Sequence, residues 1–293
     1  TAVVELLARF DESSNIHWSR KMQDAGVNVV FGVEGLKVHS KLVLIGTKTG
    51  KDIAIVGSGN FHEGNAKVYT DYFLMTGNPA ITKDVASVFN FIKRPYRPTT
   101  FKHLLVSPNH MRDCFHDLIE AEIKNAKKGL PAFIHIKINH ITDEDMVERL
   151  YEASKAGVDI KISVRGNCSI VTGVKTVSEN IKASGIIDRY LEHARLFHFH
   201  ANGQDKVFLG SADWMPRNLD NRVEVISPVF DPVIKADIIN TIGFALSDNT
   251  QARVVDGTGI LKIQDTGSDK PFRSQEELYK HYSEINRQEI EKL

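Results

Sequence analysis

The sequence predicts an α/β fold in two similar halves, with mixed sheets flanked by helices and facing each other across one cleft. Three observations lead there. Short runs rich in Val and Ile alternate with longer amphipathic runs, as strands alternate with helices. Leu36-Lys37-Val38-His39-Ser40-Lys41 has a counterpart in Leu191-Glu192-His193-Ala194-Arg195, and each is followed by an apolar strand ending in Gly57-Ser58 or Gly210-Ser211. The interval from histidine to glycine is 18 residues in the first copy and 17 in the second. Asp24-Ala25-Gly26-Val27 likewise reappears as Lys155-Ala156-Gly157-Val158.

Residues 3–10 read as a strand, and Asp11 to Asn15 supply helix-start residues. A helix over 16–25 stops at Gly26. Strands are expected over 27–31, 36–44, 53–56 and 66–74, the last broken by Asn78-Pro79. A helix over 81–92 leads into a proline-marked linker at 93–98. The second half restarts with a helix over 109–128, a strand over 132–138, a helix over 146–156 and a strand over 158–166. An insert of about 23 residues, roughly 167–188, precedes its histidine strand, as the wider gap between Gly157 and His193 requires. Strands over 191–197, 206–209 and 219–226 and a helix over 232–245 complete it. Beyond residue 247 a weak strand is expected over 259–263, and a charged, helix-forming stretch over 272–293 is expected to be peripheral. The domain boundaries on this reading are 1–104, 105–248 and a C-terminal extension over 249–293.

Composition narrows the function. The 293 residues suit about two domains. Lys+Arg and Asp+Glu both number 37, so bulk charge does not hold this chain on nucleic acid, and an anion site must be a local concentration of basic groups. Cys114 and Cys168 make neither a disulfide framework nor a Cys-x-x-Cys metal pair, which suits a reducing compartment. No run approaches the ~20 apolar residues of a membrane span, and no signal peptide is recognisable. The chain opens on a strand without an initiator Met, as a piece of a longer protein would.

The chemistry gathers around the repeated histidines. On a strand, positions i and i+2 share a face, so His39 projects with Lys41 and His193 with Arg195. A neutral imidazole can attack phosphorus while a neighbouring cation holds the phosphate oxygens. Ser58, Asn60, Ser211 and Asn218 offer neutral donors beside small residues, although turn hydrogen bonding is their ordinary use. Arg165 ends an apolar strand, where a charge needs a phosphate or a carboxylate partner. Arg9 precedes Asp11-Glu12, so a salt bridge competes with a phosphate contact. Tyr69 is a core residue or a platform for adenine. His198 and His200 share a face, but alternation points His193 the other way, and no carboxylate or cysteine completes a zinc set. Asp71, Asp213 and Glu224 are candidate outer-shell carboxylates.

The paired His-x-basic strands with Gly-Ser turns resemble the phospholipase D superfamily. Fuller strings narrow the resemblance. Glu5-Leu6-Leu7-Ala8-Arg9-Phe10-Asp11-Glu12, Gly35-Leu36-Lys37-Val38-His39-Ser40-Lys41, Tyr69-Thr70-Asp71-Tyr72, Val164-Arg165-Gly166, Tyr190-Leu191-Glu192-His193 and Gly210-Ser211-Ala212-Asp213-Trp214 are similar to the type 1 polyphosphate kinases, in order from about residue 1 to about residue 245. The resemblance implies two phospholipase-D-like domains and a reversible transfer of the ATP γ-phosphate through a phosphohistidine to inorganic polyphosphate. It matches His39 to the phosphorylated histidine and His193 to a second essential one. It matches Tyr69 and Arg165 to nucleotide and phosphate contacts, and Arg9 to the site of the magnesium-bound phosphates. Lys41, Arg195, Ser58 and Asn60 are the further phosphate-binding candidates. It also implies Mg²⁺ with ATP, partners ATP, ADP and polyphosphate, a homo-oligomeric full-length form, and a cytoplasmic setting with peripheral membrane association as a further expectation. The competing reading is a phosphodiesterase or nuclease. In that pattern an Asp follows the Lys by five residues, whereas Gly46 and His200 stand at that distance here.

Overall fold

The computed structural model describes residues 1–5, 12–33, 35–260 and 262–291. Its first half runs β1 (Ala2–Val4), α1 (Glu12–Asp24), β2 (Val29–Phe31), β3 (Lys37–Val38), β4 (Lys41–Ile45), β5 (Ile53–Gly57), α2 (Glu63–Val68), β6 (Tyr69–Thr70), β7 (Phe73–Thr76) and α3 (Pro79–Lys93). The second half runs β8 (Leu105–Ser107), α4 (Met111–Lys127), β9 (Phe133–Ile138), α5 (Glu144–Lys155), β10 (Asp159–Val164), β11 (Ile181–Ile186), β12 (Leu191–Glu192), β13 (Arg195–Phe199), β14 (Lys206–Gly210), α6 (Pro216–Asp220), β15 (Arg222–Pro228) and α7 (Pro232–Ser247). The tail adds β16 (Ala252–Val254) and α8 (Ser274–Ile290).

The α/β expectation holds, with the duplication carried down to the hydrogen-bond register. In the first half β4 pairs β5 antiparallel with Lys41 opposite Gly57, and β5 pairs β7 with Gly57 opposite Phe73. In the second, β13 pairs β14 with Arg195 opposite Gly210, and β14 pairs β15 with Gly210 opposite Ile226. The helices match as well: Asn78 caps α3 and Asp231 caps α7, each with Pro in the first turn. Gly26 and Gly157 stop α1 and α5 in the left-handed region, at φ +81° and +95°, where a side chain would be strained.

The surroundings of the two triplets differ. β13, β14 and β15 belong to a nine-stranded sheet in the order β16-β11-β10-β9-β13-β14-β15-β3, with β8 also paired to β15. On one face Phe197, Phe199, Phe208 and Ile226 pack with Phe115, Ile119 and Ile123 of α4. On the other, Leu196, Val207 and Leu209 meet Ile238 and Ile242 of α7. In the first half only one face is covered: Ala54 and Val56 lie under Ile81, Val85 and Val88 of α3. The opposite face leaves Ile45, Phe73 and Met75 exposed.

Several expected boundaries change. The strand over 36–44 breaks at His39-Ser40 because β3 joins the large sheet through β15 while β4 joins the small one. The strand over 191–197 breaks in the same way at His193-Ala194. The stretch over 66–74 is not one strand, since α2 occupies its first part, capped by His62 accepting from Gly64 N. The insert is not a plain loop: β11 adds a parallel strand to β10. The weak strand over 259–263 amounts to an isolated bridge between Arg253 and Ile263, with the strand itself at β16. The expected strand over 3–10 appears as β1, and its continuation lies outside the described residues. The tail is not peripheral, because α8 packs on α7 and reaches the neighbourhood of His193.

Candidate active site

Each histidine sits in a two-residue gap between short strands, and its backbone is held by the other half. β3 pairs β15 in parallel, and the amides of His39 and Ser40 donate to Val223 O at 3.0 and 2.9 Å. In the second copy β12 pairs β6 in parallel, and His193 N donates to Thr70 O at 3.3 Å. Val223 and Thr70 each precede a carboxylate, and that carboxylate takes the imidazole. His39 Nδ1 lies 2.9 and 2.8 Å from the two oxygens of Glu224. His193 Nδ1 lies 2.8 and 3.1 Å from those of Asp71.

These carboxylates are positioned by the serines of the Gly-Ser turns. Ser58 Oγ donates to Asp71 Oδ1 at 2.7 Å, and Ser211 Oγ donates to Glu224, the partners lying thirteen positions apart in both copies. Asn218 Nδ2 also donates to Glu224. Ser58 and Ser211 are fully buried. They and Asn218 therefore serve the carboxylates, and the expectation of Ser58 as a direct phosphate donor gives way to this role. A Cβ at Gly59 would come within 1.9 Å of the Asp71 carboxylate, so only glycine lets that side chain lie against the turn.

These contacts set the protonation states. Burial alone would raise the Glu224 carboxyl, but His39, Lys41 and Ser211 together hold it below its ordinary value. Burial likewise opposes ionisation of Asp71, and the bonds from His193 and Ser58 overcome it. Ionised carboxylates only accept, so both Nδ1 atoms carry the proton and both Nε2 atoms the lone pair. Burial holds both imidazoles below their ordinary value against the pull of Glu224 and Asp71, so the neutral rings dominate at pH 7. The orienting carboxylate missed by the five-residue spacing is thus present in each copy, supplied by the other half.

The two Nε2 atoms meet different surroundings. Arg195 Nη1 lies 3.2 Å from His193 Nε2, and also donates to the carbonyls of His193 (2.8 Å) and Ser58 (3.1 Å). Its Nε and Nη2 fork onto Asp213 at 3.3 and 3.1 Å. Arg195 is therefore largely occupied by the protein: a guanidinium has five donors in a fixed fork, and this one is bonded on all three nitrogens, which leaves one N–H of Nη2 for a ligand. Among the described residues, no hydrogen bond engages His39 Nε2.

Among the described residues, Lys41, Arg165 and Arg222 are cations near the histidines that form no ion pair. Lys41 is buried and donates to His39 O, with no ion pair among the described residues. Burial pulls its ammonium down to about 7, with Glu224 opposing and Arg195 and Arg222 adding to the fall. Arg165 is half-buried, with Nε bonded to Asn139 Oδ1 (3.0 Å) and Glu192 O (2.6 Å), which leaves its terminal nitrogens for a ligand. The half-buried Arg222 starts β15 two residues before Glu224, on the same face. Asn60 is exposed at the turn. The Tyr69 ring stands 5.0 Å from the His193 ring, tilted by 53°. Arg9 lies outside the described residues. His198 pairs with Asp205 at 2.8 Å, away from His193, and among the described residues no group of three or more His, Cys, Asp or Glu is poised to hold a metal.

Sequence reasoning missed Arg222 and Asn139, and read Asp71 and Glu224 as candidate outer-shell carboxylates rather than as the groups that orient the histidines. The signal for the carboxylates was the repeated thirteen-residue interval from Ser to Asp or Glu. Arg222 occupies in its ladder the position Tyr69 occupies in the other, opposite Lys37 as Tyr69 is opposite Leu191.

Fold and site together define a duplicated α/β protein in which each half presents a histidine oriented by the other half, among cations at their junction. Two family models divide the chain accordingly: "Polyphosphate kinase C-terminal domain 1" matches residues 1–98 and "Polyphosphate kinase C-terminal domain 2" matches residues 104–275. The chain belongs to the polyphosphate kinase family. It is 44% identical over 292 residues to the polyphosphate kinase of Escherichia coli K12, covering 99% of this chain and 42% of that protein. It is 46% identical over 291 residues to that of Vibrio parahaemolyticus, covering 98% and 42%. The crystal structure of polyphosphate kinase from Porphyromonas gingivalis superposes with a TM-score of 0.89 at 37% identity, covering 98% of this chain and 44% of that one. The chain thus spans less than half the length of these relatives.

Proposed function

We propose that this chain carries the transfer site of an ATP–polyphosphate phosphotransferase. His39 Nε2 attacks the γ-phosphorus of ATP in line. The bond from phosphorus to the β,γ-bridging oxygen breaks, and ADP leaves with that electron pair. A terminal oxygen of the polyphosphate chain then attacks the phosphohistidine, and the P–N bond returns its pair to Nε2. Both steps run in reverse. Glu224 keeps the proton on Nδ1, so the lone pair is on Nε2 before attack and again after transfer, and its charge offsets the positive ring while the P–N bond exists.

The observation that carries this reading is the difference between the rings. His39 offers an unengaged Nε2 on a side chain with 27% of its surface exposed, whereas the Nε2 of His193 faces Arg195. Lys41, Arg165 and Arg222 gather the equatorial oxygens, where charge spreads in a loose transition state. A phosphate that settles on Lys41 returns its ammonium toward the charged form. Arg195, with Asp213 and Ser58, fixes the ring of His193 opposite, and Tyr69 borders the same spot as a platform for the base.

Mg²⁺ would enter on the phosphates of ATP. The three carboxylates nearest the histidines are committed to His39, His193 and Arg195, so the described residues do not themselves form a cradle for the ion. ATP, ADP and polyphosphate are the partners, and a cytoplasmic homo-oligomer is the setting this reading assigns to the whole protein. Among the described residues no helix is long and apolar enough to cross a membrane.

The test is labelling with γ-labelled ATP, followed by acid and alkali. An acid-labile, alkali-stable label is expected, lost in His39→Ala. Undiminished label in that variant rules out the nucleophile.

A further inference from the structure

We infer that the C-terminal helix α8 is a positioning element for the His193–Asp71 pair, acting through Gln275 and Tyr282. This rests on the reading above only in taking His193 and Asp71 as part of the working site. The tail is anchored first at its entry. Ser274 N donates to the buried Asp248 at 2.7 Å, and Phe272 and Asn249 exchange two bonds, of 2.7 Å through the Asn249 side chain and 3.1 Å between backbones. Arg273 forks onto Asp188.

From there Gln275 reaches the strand that delivers His193. Tyr190 N donates to Gln275 Oε1 at 2.9 Å, and Gln275 Nε2 donates to Tyr190 O at 2.8 Å, so the side-chain amide pairs with the backbone as a neighbouring strand would. The same Nε2 donates to Glu192 Oε1 at 2.7 Å. Glu192 is buried against Lys137 and accepts from Thr70 Oγ1 at 3.0 Å. It is the residue before His193, and Thr70 is the residue before Asp71. Two turns further along the helix, Tyr282 OH donates to Asp237 at 3.0 Å and lies 3.0 Å from the hydroxyl of Tyr72, the residue after Asp71. One helix therefore holds a chain neighbour of each member of the pair, across the seam between the halves. Among the described residues no hydrogen bond or ion pair joins the His39–Glu224 pair to α8; its strand is tied from the other end, by Val38 N donating to Glu5 at 3.0 Å.

This arrangement gives the test an internal control. The shared Nδ1–H protons of His193 and His39 are read by exchange in ¹⁵N-histidine NMR of the full chain. Gln275→Ala and Tyr282→Phe are expected to speed exchange of the His193 proton by about tenfold while leaving that of His39 unchanged. Lys280→Ala, on the exposed side of the same helix, changes neither. Equal acceleration of both protons makes α8 a merely global stabiliser and overturns the inference, as does an unchanged His193 proton in both variants. If Gln275→Ala does not fold, Tyr282→Phe, which removes one oxygen, decides alone. None of these readings uses ATP, so absence of a phosphohistidine counts against the proposed reaction and leaves this result standing.

Discussion

Lys41 and Arg195 occupy the same place in the two halves, opposite Gly57 and Gly210 in identical registers. The two residues after the neighbouring serine decide their fates. In the second half the turn reads Ser211-Ala212-Asp213, and Asp213 takes the fork of Arg195. In the first it reads Ser58-Gly59-Asn60, and the neutral Asn60 leaves Lys41 without an ion pair among the described residues, Glu224 acting on it only at longer range. A buried, paired cation is scaffolding, because its donors are spent. A buried, unpaired one is costly until an anion arrives. On the proposed reading, duplication has supplied one frame and two functions: a half-site held ready and a half-site built to brace it. The same contrast runs through the sheets, where α4 covers the second triplet and the matching face of the first stays open.

The largest expected effect bears on the exchanged carboxylates. Glu224→Gln lets an amide donate to His39 Nδ1, which favours the tautomer with the proton on the attacking nitrogen. Phosphoenzyme formation should fall by roughly 10²- to 10⁴-fold. Asp71→Asn, acting on the ring that the proposed reaction does not use as nucleophile, should cost nearer tenfold. Rapid-quench labelling of both variants measures the ratio, and equal losses would erase the distinction between the two rings.

Next comes packing. Phe197 is fully buried between β13 and α4, so Phe197→Ala should cost about 3–5 kcal/mol. Met75, on the corresponding face of the first triplet, is 63% exposed, and Met75→Ala should stay within about 0.5 kcal/mol. Denaturant melts of this chain compare them. Similar losses would mean that the first sheet's face is covered in solution.

The smallest effect is the pH dependence of stability. The Lys41 ammonium falls from 10.5 to about 7 on folding. Between those values the unfolded chain binds more protons than the native one, so stability rises with pH across that window. Lys41→Met should stabilise the chain near pH 7 by up to a few kcal/mol and flatten that rise. Melts at pH 7 and pH 10 settle it; an unchanged slope would mean that Lys41 keeps its proton when folded.

The repeat was legible because it is written locally. His-x-basic and Gly-Ser recur at nearly constant spacing, Ala-Gly-Val recurs ahead of an insert in the second copy, and period 2 and period 3.6 place them on strands and helices. The breaks at His39 and His193 were not legible. The period-2 run continues through both, and only the choice of β15 and β6 as partners interrupts it. The stretch over 66–74 misled for a related reason: alternation over a few residues does not distinguish a strand from a short helix capped by His62.

Neighbouring residues in the chain were enough to set the α/β class, the duplication, both histidines and the cations beside them, because each is a local property. Folding in three dimensions settled which carboxylate orients which ring, whether Arg195 is free, and that α8 reaches the site. His39 and Glu224 are 185 residues apart, and His193 and Asp71 are 122 apart. No local periodicity encodes a hydrogen bond over such distances. It arises when the halves close on each other and every buried charge must find a partner.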